Sequence, residues 1–334
     1  MNANSYQSPG TTGGDREDLE DSLTIIEPEE TPFFTVVPKN NDAKATFHEV
    51  LADRLRAPRT TGTREGDPGP KGGNKAVKRQ RFGGYIHRWH DTFGVSDTQQ
   101  LISQKGGTAA VDDEFATAEM KCLREVKRDI EATCCSALET QGRTDDEMQT
   151  RGAFQWMAAA PTPTVPSDFV TPAAQRLTGI TTLIETGANS LNSVLKSLKA
   201  AYGIAKEFEL IMGNTYAENF DMFTRSGDAV AANEKRFRVM NSGGPVEIGM
   251  VVNVFRSSFG RVNGHLSDFL LINAAGTGQA DSCLILNPKL WLLSFLEPLH
   301  AEDDPPDAGG FTGYVKAQGG LFCRAPYGNA YIKN

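Results

Sequence analysis

The stretch Thr108–Gln141 limits what this chain can fold into more than any other. Val111, Phe115, Ala118, Cys122, Val126, Ile130, Cys134 and Ala137 recur at steps of three and four, which lines them up on one apolar stripe of a helix. A helix of 34 residues is roughly 50 Å long, against a mean of about 11–12 residues in globular domains. Thr108 is placed to cap its start, Asp112, Asp113 and Glu114 suit the positive end of its dipole, and Gly142 is placed to stop it. Glu119, Lys121, Arg124, Glu125, Lys127, Arg128, Asp129 and Glu131 fall between the apolar positions and are expected to be solvated or paired along the flanks. The stripe keeps no strict seven-residue repeat, so the expectation is a helix laid on a sheet, not a coiled coil. A rod of this kind, with loop and strand around it, suits a scaffold better than an active-site barrel.

The remaining 300 positions determine how much core such a rod can share. A chain of 334 residues is long enough for one large or two smaller domains. Yet only 39% of it is apolar, and 33 Gly and 17 Pro point to many loops, turns and extended arms. Arms of that composition cannot bury enough surface by themselves and need a neighbouring chain. The net charge of −8 argues against a uniform coating of nucleic acid. The distribution is uneven. Residues 1–30 hold eight acids (Asp15, Glu17, Asp18, Glu20, Asp21, Glu27, Glu29, Glu30) and one base, Arg16. Residues 54–88 hold ten bases and two acids, Glu65 and Asp67. Either these are two solvated surface segments, or they are complementary surfaces on adjacent copies. Cys122, Cys134, Cys135, Cys283 and Cys323 show no framework spacing, as expected for a reducing compartment. There is no secretory signal, transmembrane run or lipidation motif, so the expectation is a cytoplasmic product that touches no membrane.

Several further elements are legible. Pro28, Pro32 and Pro38 favour extended chain, and Phe33 and Phe34 want a pocket. Residues 44–56 read as a strand. Residues 57–76 must project, being rich in Gly, Pro, Thr and Lys. Residues 77–95 read as the return strand, with Val77, Tyr85, Trp89, Phe93 and Val95 on one face. The pair is a hairpin with a basic tip. Residues 143–187 are irregular but anchored through Phe154 and Trp156. Ser190 caps a helix over Leu191–Tyr202. Phe208–Met212 is a buried strand, and Thr215–Thr224 a helix. Residues 225–245 are charged. Strands follow at 246–256, 259–266, 269–273 and 283–287; Asn287-Pro288 begins a turn, Leu290–Phe295 is strand-like, 301–310 is an acidic loop, and strands near 311–324 and 327–333 close the chain. No internal repeat occurs, and the order of elements argues for an α+β fold.

Motifs for chemistry are absent. No phosphate-binding loop pattern and no Gly-x-Ser-x-Gly elbow occurs, and Gly276-Thr-Gly278 lacks a third glycine. His87 and His90, three apart on a strand, point to opposite faces and do not share a metal. No catalytic residue, metal site or cofactor is expected. The basic hairpin tip has two readings: Gly62 through Lys78 clamps phosphates through Arg59, Arg64, Lys71, Lys75 and Lys78, or it meets a like subunit; the tip has no aromatic residue for stacking bases, which disfavours single-strand binding. Its bases Arg54, Arg56, Arg59, Arg64, Lys71, Lys75, Lys78, Arg79 and Arg81 are better matched to acidic surface on a like subunit, including Asp15, Glu17, Asp18, Glu20 and Asp21. Phe33 and Phe34 complete the set of expected inter-subunit contacts.

Four blocks in order resemble one group of tailed-phage major capsid proteins, the SU10-like group with the HK97 fold. They are Asp18-Leu-Glu-Asp-Ser-Leu-Thr-Ile-Ile-Glu-Pro-Glu-Glu-Thr-Pro-Phe33; Ala45-Thr-Phe-His-Glu-Val-Leu-Ala-Asp-Arg-Leu55, with Val50 at a usual tryptophan; Glu114–Ala132; and Asn287–His300. Residues 143–186 and 225–245 match poorly. The resemblance implies an N-terminal arm (1–42), an extended β-hairpin loop lying over a neighbour (43–95), a peripheral domain (96–150) with the spine helix 108–141, an axial domain (151–280) and return strands to the peripheral domain (281–334). It implies self-assembly into hexamers and pentamers of an icosahedral shell around double-stranded DNA, without sequence-specific binding. Separate scaffolding, portal and decoration proteins would be its partners, since no cleaved scaffolding segment is evident before residue 15. The protein would be made in bacterial cytoplasm and end in the virion. An encapsulin-like cargo shell, another virion protein and a soluble enzyme are the alternatives. Some HK97-fold shells join a loop lysine to an asparagine of another subunit. Lys71, Lys75 and Lys78, with Asn329 and Asn334, are the residues for that here, although non-covalent assembly is the simpler expectation.

Overall fold

A computed structural model describes residues 30–53, 79–98, 114–142, 147–161, 164–184, 189–203, 207–222, 254–270, 282–305 and 310–334, with a few single positions between them. In chain order the named elements are α1 (Pro32–Val36), β1 (Lys39–Asn40), β2 (Phe47–Ala52), β3 (Gln80–Tyr85), β4 (His87–Ser96), α2 (Glu114–Cys135), α3 (Ala153–Trp156), β5 (Arg176–Thr178), α4 (Leu191–Tyr202), β6 (Glu207–Met212), α5 (Asn214–Met222), β7 (Val254–Ser257), β8 (Gly260–Leu266), β9 (Ser282–Leu286), β10 (Trp291–Asp303), β11 (Gly310–Cys323) and β12 (Ala330–Lys333). The class is α+β, as the element order in the sequence suggests.

The main core forms under a six-stranded sheet of order β5-β12-β9-β6-β8-β7. Helix α4 starts where Ser190 accepts the Ser193 N–H in its side chain (3.1 Å), which fixes its apolar face, Leu191, Val194, Leu195 and Leu198. That face packs with Phe208, Leu210 and Met212 of β6, Val262 of β8, Ile285 of β9 and Ile332 of β12, while Tyr216 and Phe220 of α5 complete the cluster. Strand β6 is buried at alternate positions and then continuously, as a central strand should be. The closing strands expected over 281–334 divide between sheets. β9 and β12 belong to this one, whereas β10 and β11 join β1 and β4 in a four-stranded sheet of order β1-β10-β11-β4.

The long helix is shorter than its stripe. Its described part starts at Glu114, and residues 99–113, which include Thr108 and Val111, lie outside the described residues. It ends at Cys135, not Gln141. Cys122, Val126, Ile130 and Cys134 are buried as the spacing demands, but Ala137 is exposed. The stop is tertiary. Ser136 Oγ donates to Thr133 O (2.6 Å) and accepts the Leu138 N–H, Phe154 N–H donates to Ser136 O, and Gly152 N–H donates to Leu138 O. The carbonyls a longer helix would use are thus taken by the segment leading into α3. Gly142 plays another part: a Cβ there would lie 2.6 Å from Cζ of the Tyr85 ring.

The return strand expected over 77–95 is two strands in two sheets. β2 pairs β3 antiparallel, with Val50 opposite Phe82, while β4 carries Trp89, Phe93 and Val95 into the four-stranded sheet. Ile86, buried and bonded through its N–H to Thr46 O (2.9 Å), marks the change. The region 269–273 shows no strand over its described residues.

By contact density the chain separates into two units. One takes residues 91–125 and 300–315; the other takes 29–90, 126–299 and 316–334. In the smaller unit the rings of Phe93, Phe115 and Phe311 form a chain with centroids 5.1 and 6.2 Å apart, and Gly313 leaves room for Phe93, whose Cζ a Cβ would approach to 2.6 Å. In the larger unit Gly152 sits so close to the end of α2 that a Cβ would lie 2.1 Å from Ser136 O. Backbone cannot yield that distance cheaply. Gly152→Ala is therefore expected to destabilise the subunit by about 3 kcal/mol, at the upper end for overpacking, measured by denaturant unfolding of the unassembled chain.

Candidate assembly site

Helix α1 is a single turn, begun by Pro32 at its first position, where a missing N–H costs nothing. Pro32 thus starts a helix instead of favouring extended chain, whereas Pro38, after the extended Val37, leads into β1 as expected; Pro28 lies outside the described residues. Its Ncap residue, Thr31, makes no side-chain cap. The acceptor comes from a residue almost a hundred positions away. Phe33 N–H donates to Glu131 Oε1 (2.8 Å) and Phe34 N–H to Glu131 Oε2 (2.7 Å). One carboxylate on α2 therefore caps both orphan donors of α1.

Glu131 is 0% exposed, which overturns its placing among the solvated flank residues. It lies one position off the buried stripe, beside Cys135, whose Sγ donates to Oε1 at 3.9 Å. Burial pushes its carboxyl up from 4.5 to about 7, against the opposing pull of the two N–H donors and of Lys39. Lys39 is itself held below its ordinary value by burial and by Lys127, and its Nζ sits 3.8 Å from the Phe34 ring centroid. Phe33 is 1% exposed and meets Trp291 edge-on at 6.2 Å. Trp291 Nε1–H donates to Asn329 Oδ1 (2.8 Å), which also accepts the Asn287 N–H (2.8 Å), while Asn329 Nδ2 donates to Ala325 O (3.1 Å). Glu131, Phe33, Trp291 and Asn329 thus tie α1, α2, β10 and the approach to β12 into one polar-and-aromatic knot.

The expected contact residues divide as follows. Arg54, Arg56, Arg59, Lys71, Lys75, Lys78, Asp15, Glu17, Asp18, Glu20 and Asp21 lie outside the described residues, and Arg64 is exposed. Arg79 Nε is 3.7 Å from Asp53 Oδ2, one residue beyond the paired strands β2 and β3, and Arg81 Nη1 is 3.5 Å from Glu49 Oε2 on those strands. These are exposed pairs worth about 0–1 kcal/mol each. Phe33 is enclosed by its own chain and offers no ring to a neighbour; Phe34 is half-buried. Asn329 is 0% exposed with its amide committed, so it is no partner for a lysine cross-link. Glu131 was missed because an acid beside an apolar stripe reads as flank. The available signal was an uncapped Pro-Phe-Phe turn, which needs an acceptor from elsewhere.

The α+β fold is that of HK97-like phage capsid proteins. It superposes on the capsid of a native GTA particle (TM-score 0.60, 13% identity, 98% of each chain covered), on Mycobacterium phage Bobi (0.57, 10%, 96% and 95%) and on the capsid of Cyanophage P-SCSP1u (0.55, 12%, 97% and 91%). Residues 3–334 match the SU10 major capsid protein family, and the chain belongs to it. No curated protein matches.

A raised folded pKa means that Glu131 keeps a proton in the folded chain that the unfolded chain has released. Its contribution to stability is complete below about 4.5 and is lost as pH rises through about 7. His87 acts in the opposite sense, since burial lowers it from 6.5 to about 4. The readout is therefore a difference between variants. As pH falls from about 8 to about 5, wild type is expected to gain melting temperature relative to Glu131→Gln, which cannot titrate.

Proposed function

We propose that this major capsid protein assembles with copies of itself into hexamers and pentamers of an icosahedral shell enclosing double-stranded DNA. The observation that carries this reading is the family match along almost the whole chain, joined to a fold shared end to end with capsid chains. The domain scheme follows it: arm 1–42, extended loop 43–95, peripheral 96–150, axial 151–280 and return strands 281–334. The scheme is amended where β9 and β12 belong to the sheet of 176–266. The protein acts by packing, not by catalysis, and leaves the host cytoplasm in the virion. Scaffolding, portal and decoration proteins are its further partners.

The role of the basic loop also narrows. Arg79 and Arg81 already face Asp53 and Glu49, so reversing them would set acid against acid inside the hairpin. The cations left for an adjacent copy's acidic surface are Arg54, Arg56, Arg59, Arg64, Lys71, Lys75 and Lys78. Each such contact is weak, and closure of the shell multiplies them.

Electron microscopy of the expressed chain is expected to show closed shells, with DNA in particles taken from lysates of phage-infected cells. DNA-free shells holding a cellular cargo protein would favour the encapsulin reading. Lys71→Glu with Lys75→Glu and Lys78→Glu is expected to leave the subunit's melting unchanged and to cut the yield of shells at least tenfold. Normal shells from that variant would remove the loop from the interface. On a denaturing gel, mature shells are expected to run as one band at the chain's 36.2 kDa.

A further inference from the structure

A cleft of about 390 Å³ opens at the turn between β7 and β8, beside the end of α4. Lys199, Arg256 and Arg261 line it together with Ser258 and with Ser257, whose hydroxyl already donates to Asn192 Oδ1, and no acidic side chain lines it among the described residues. Arg256 and Arg261 are direct partners in the β7–β8 register. Like charges placed opposite each other on an antiparallel pair are destabilising; Glu207, opposite Arg261 on β6, offsets part of this, and a bound anion would offset more. Arg261 Nε–H donates to Asn263 Oδ1 (3.0 Å), which leaves the rest of its guanidinium fork available. Its neighbour on the other side, Glu207, does not line the cleft.

We propose that this cleft binds the phosphodiester backbone of duplex DNA. The inference rests on the shell reading above and names the point where the enclosed DNA meets the subunit. Arg, Lys and Ser side chains with backbone N–H groups are the donors that proteins direct at phosphate oxygens, and they carry no base preference. A chain of net charge −8 repels DNA on average, so contact must fall on local clusters of cations; the segment 54–88 is one by sequence, and this cleft is one among the described residues. The competing occupant is an acidic segment of a second copy. Residues 15–30 interleave their acids with Leu19, Leu23, Ile25 and Ile26, which need apolar seats. The cleft's single large apolar side chain, Phe259, already packs against the main core, with Lys199 Nζ 5.7 Å from its ring. A phosphate backbone asks for no such seat.

The test uses the full chain before assembly and a labelled duplex of about 20 base pairs, with affinity followed against salt. Each phosphate contact contributes about 0.9 to the slope of log K on log salt. Arg256→Gln with Arg261→Gln is expected to lower that slope by about 1.8, equally for two unrelated duplex sequences, while shells still form. Lys199→Gln, on the exposed end of α4, is expected to lower it by about 0.9 and decides the matter if the arginine pair fails to fold. An unchanged slope, or a wild-type chain that does not bind the duplex, overturns the proposal. Lost shell formation with an unchanged slope overturns it too, and gives the cleft to a second copy. Failure of the wild type to form shells would strike the shell reading instead, and is read separately by microscopy.

Discussion

The structure of the larger unit hangs on a carboxylate used as a backbone cap at long range. Glu131 accepts from two consecutive N–H groups of α1 and so joins the start of the described chain to the C-terminal end of its longest helix. A charge in that position is expensive, because burial raises its pKa towards neutrality. The alternative is worse: without it, two donors at the start of α1 would be buried with no acceptor. The geometry also sets the depth of Phe33, whose ring reaches Trp291, and through Trp291 the committed amide of Asn329. Glu131 satisfies the Phe33 N–H and Asn329 the Trp291 N–H, and the two pairs meet at the Phe33–Trp291 ring contact, so a substitution in one pair is felt in the other.

This arrangement explains which parts of the fold were legible. Local rules succeeded where the partners are near in sequence. Ser190 and its helix, the alternation of β4, and the Asn287-Pro288 turn, where Asn287 accepts the Lys289 N–H, all follow from spacing and cap chemistry. They failed where the deciding partner is remote. The helix expected to run to Gln141 stops at Cys135 because Gly152 and Phe154 take the carbonyls of Leu138 and Ser136, just beyond its end. The single return strand breaks at Ile86 because two different sheets claim its halves. Pro32 looked like a breaker and is a helix start, a distinction that depends on whether an acceptor waits for the following N–H groups.

The candidate site was legible to a different degree. Charge asymmetry between residues 1–30 and 54–88 is a property of sequence, but pairing is not. Alternation puts Arg81 and Glu49 on neighbouring strands, yet only the β2–β3 register shows that the hairpin meets part of its own charge demand. Asn329 shows the same point from the other side. As a residue type it suited a cross-link, and its surroundings make it a structural amide instead. Residue type proposes chemistry, and burial decides whether the group is free to do it.

A shell protein must hold its domains rigid while its connections adapt to more than one local symmetry. The rigid part here is built from ties that leave little slack: a glycine whose Cβ would strike Ser136 O, a carboxylate with both oxygens bound, and an indole, Trp156, whose N–H reaches Leu321 O. Such contacts are bistable, not elastic, because close-packed interiors resist small deformation. Adaptation must then fall to positions that make no tie of this kind. The division follows from composition as much as from fold. A chain with 39% apolar residues can lock only part of itself, and what it locks in the larger unit is the sheet, the end of the long helix and the single turn that Glu131 holds.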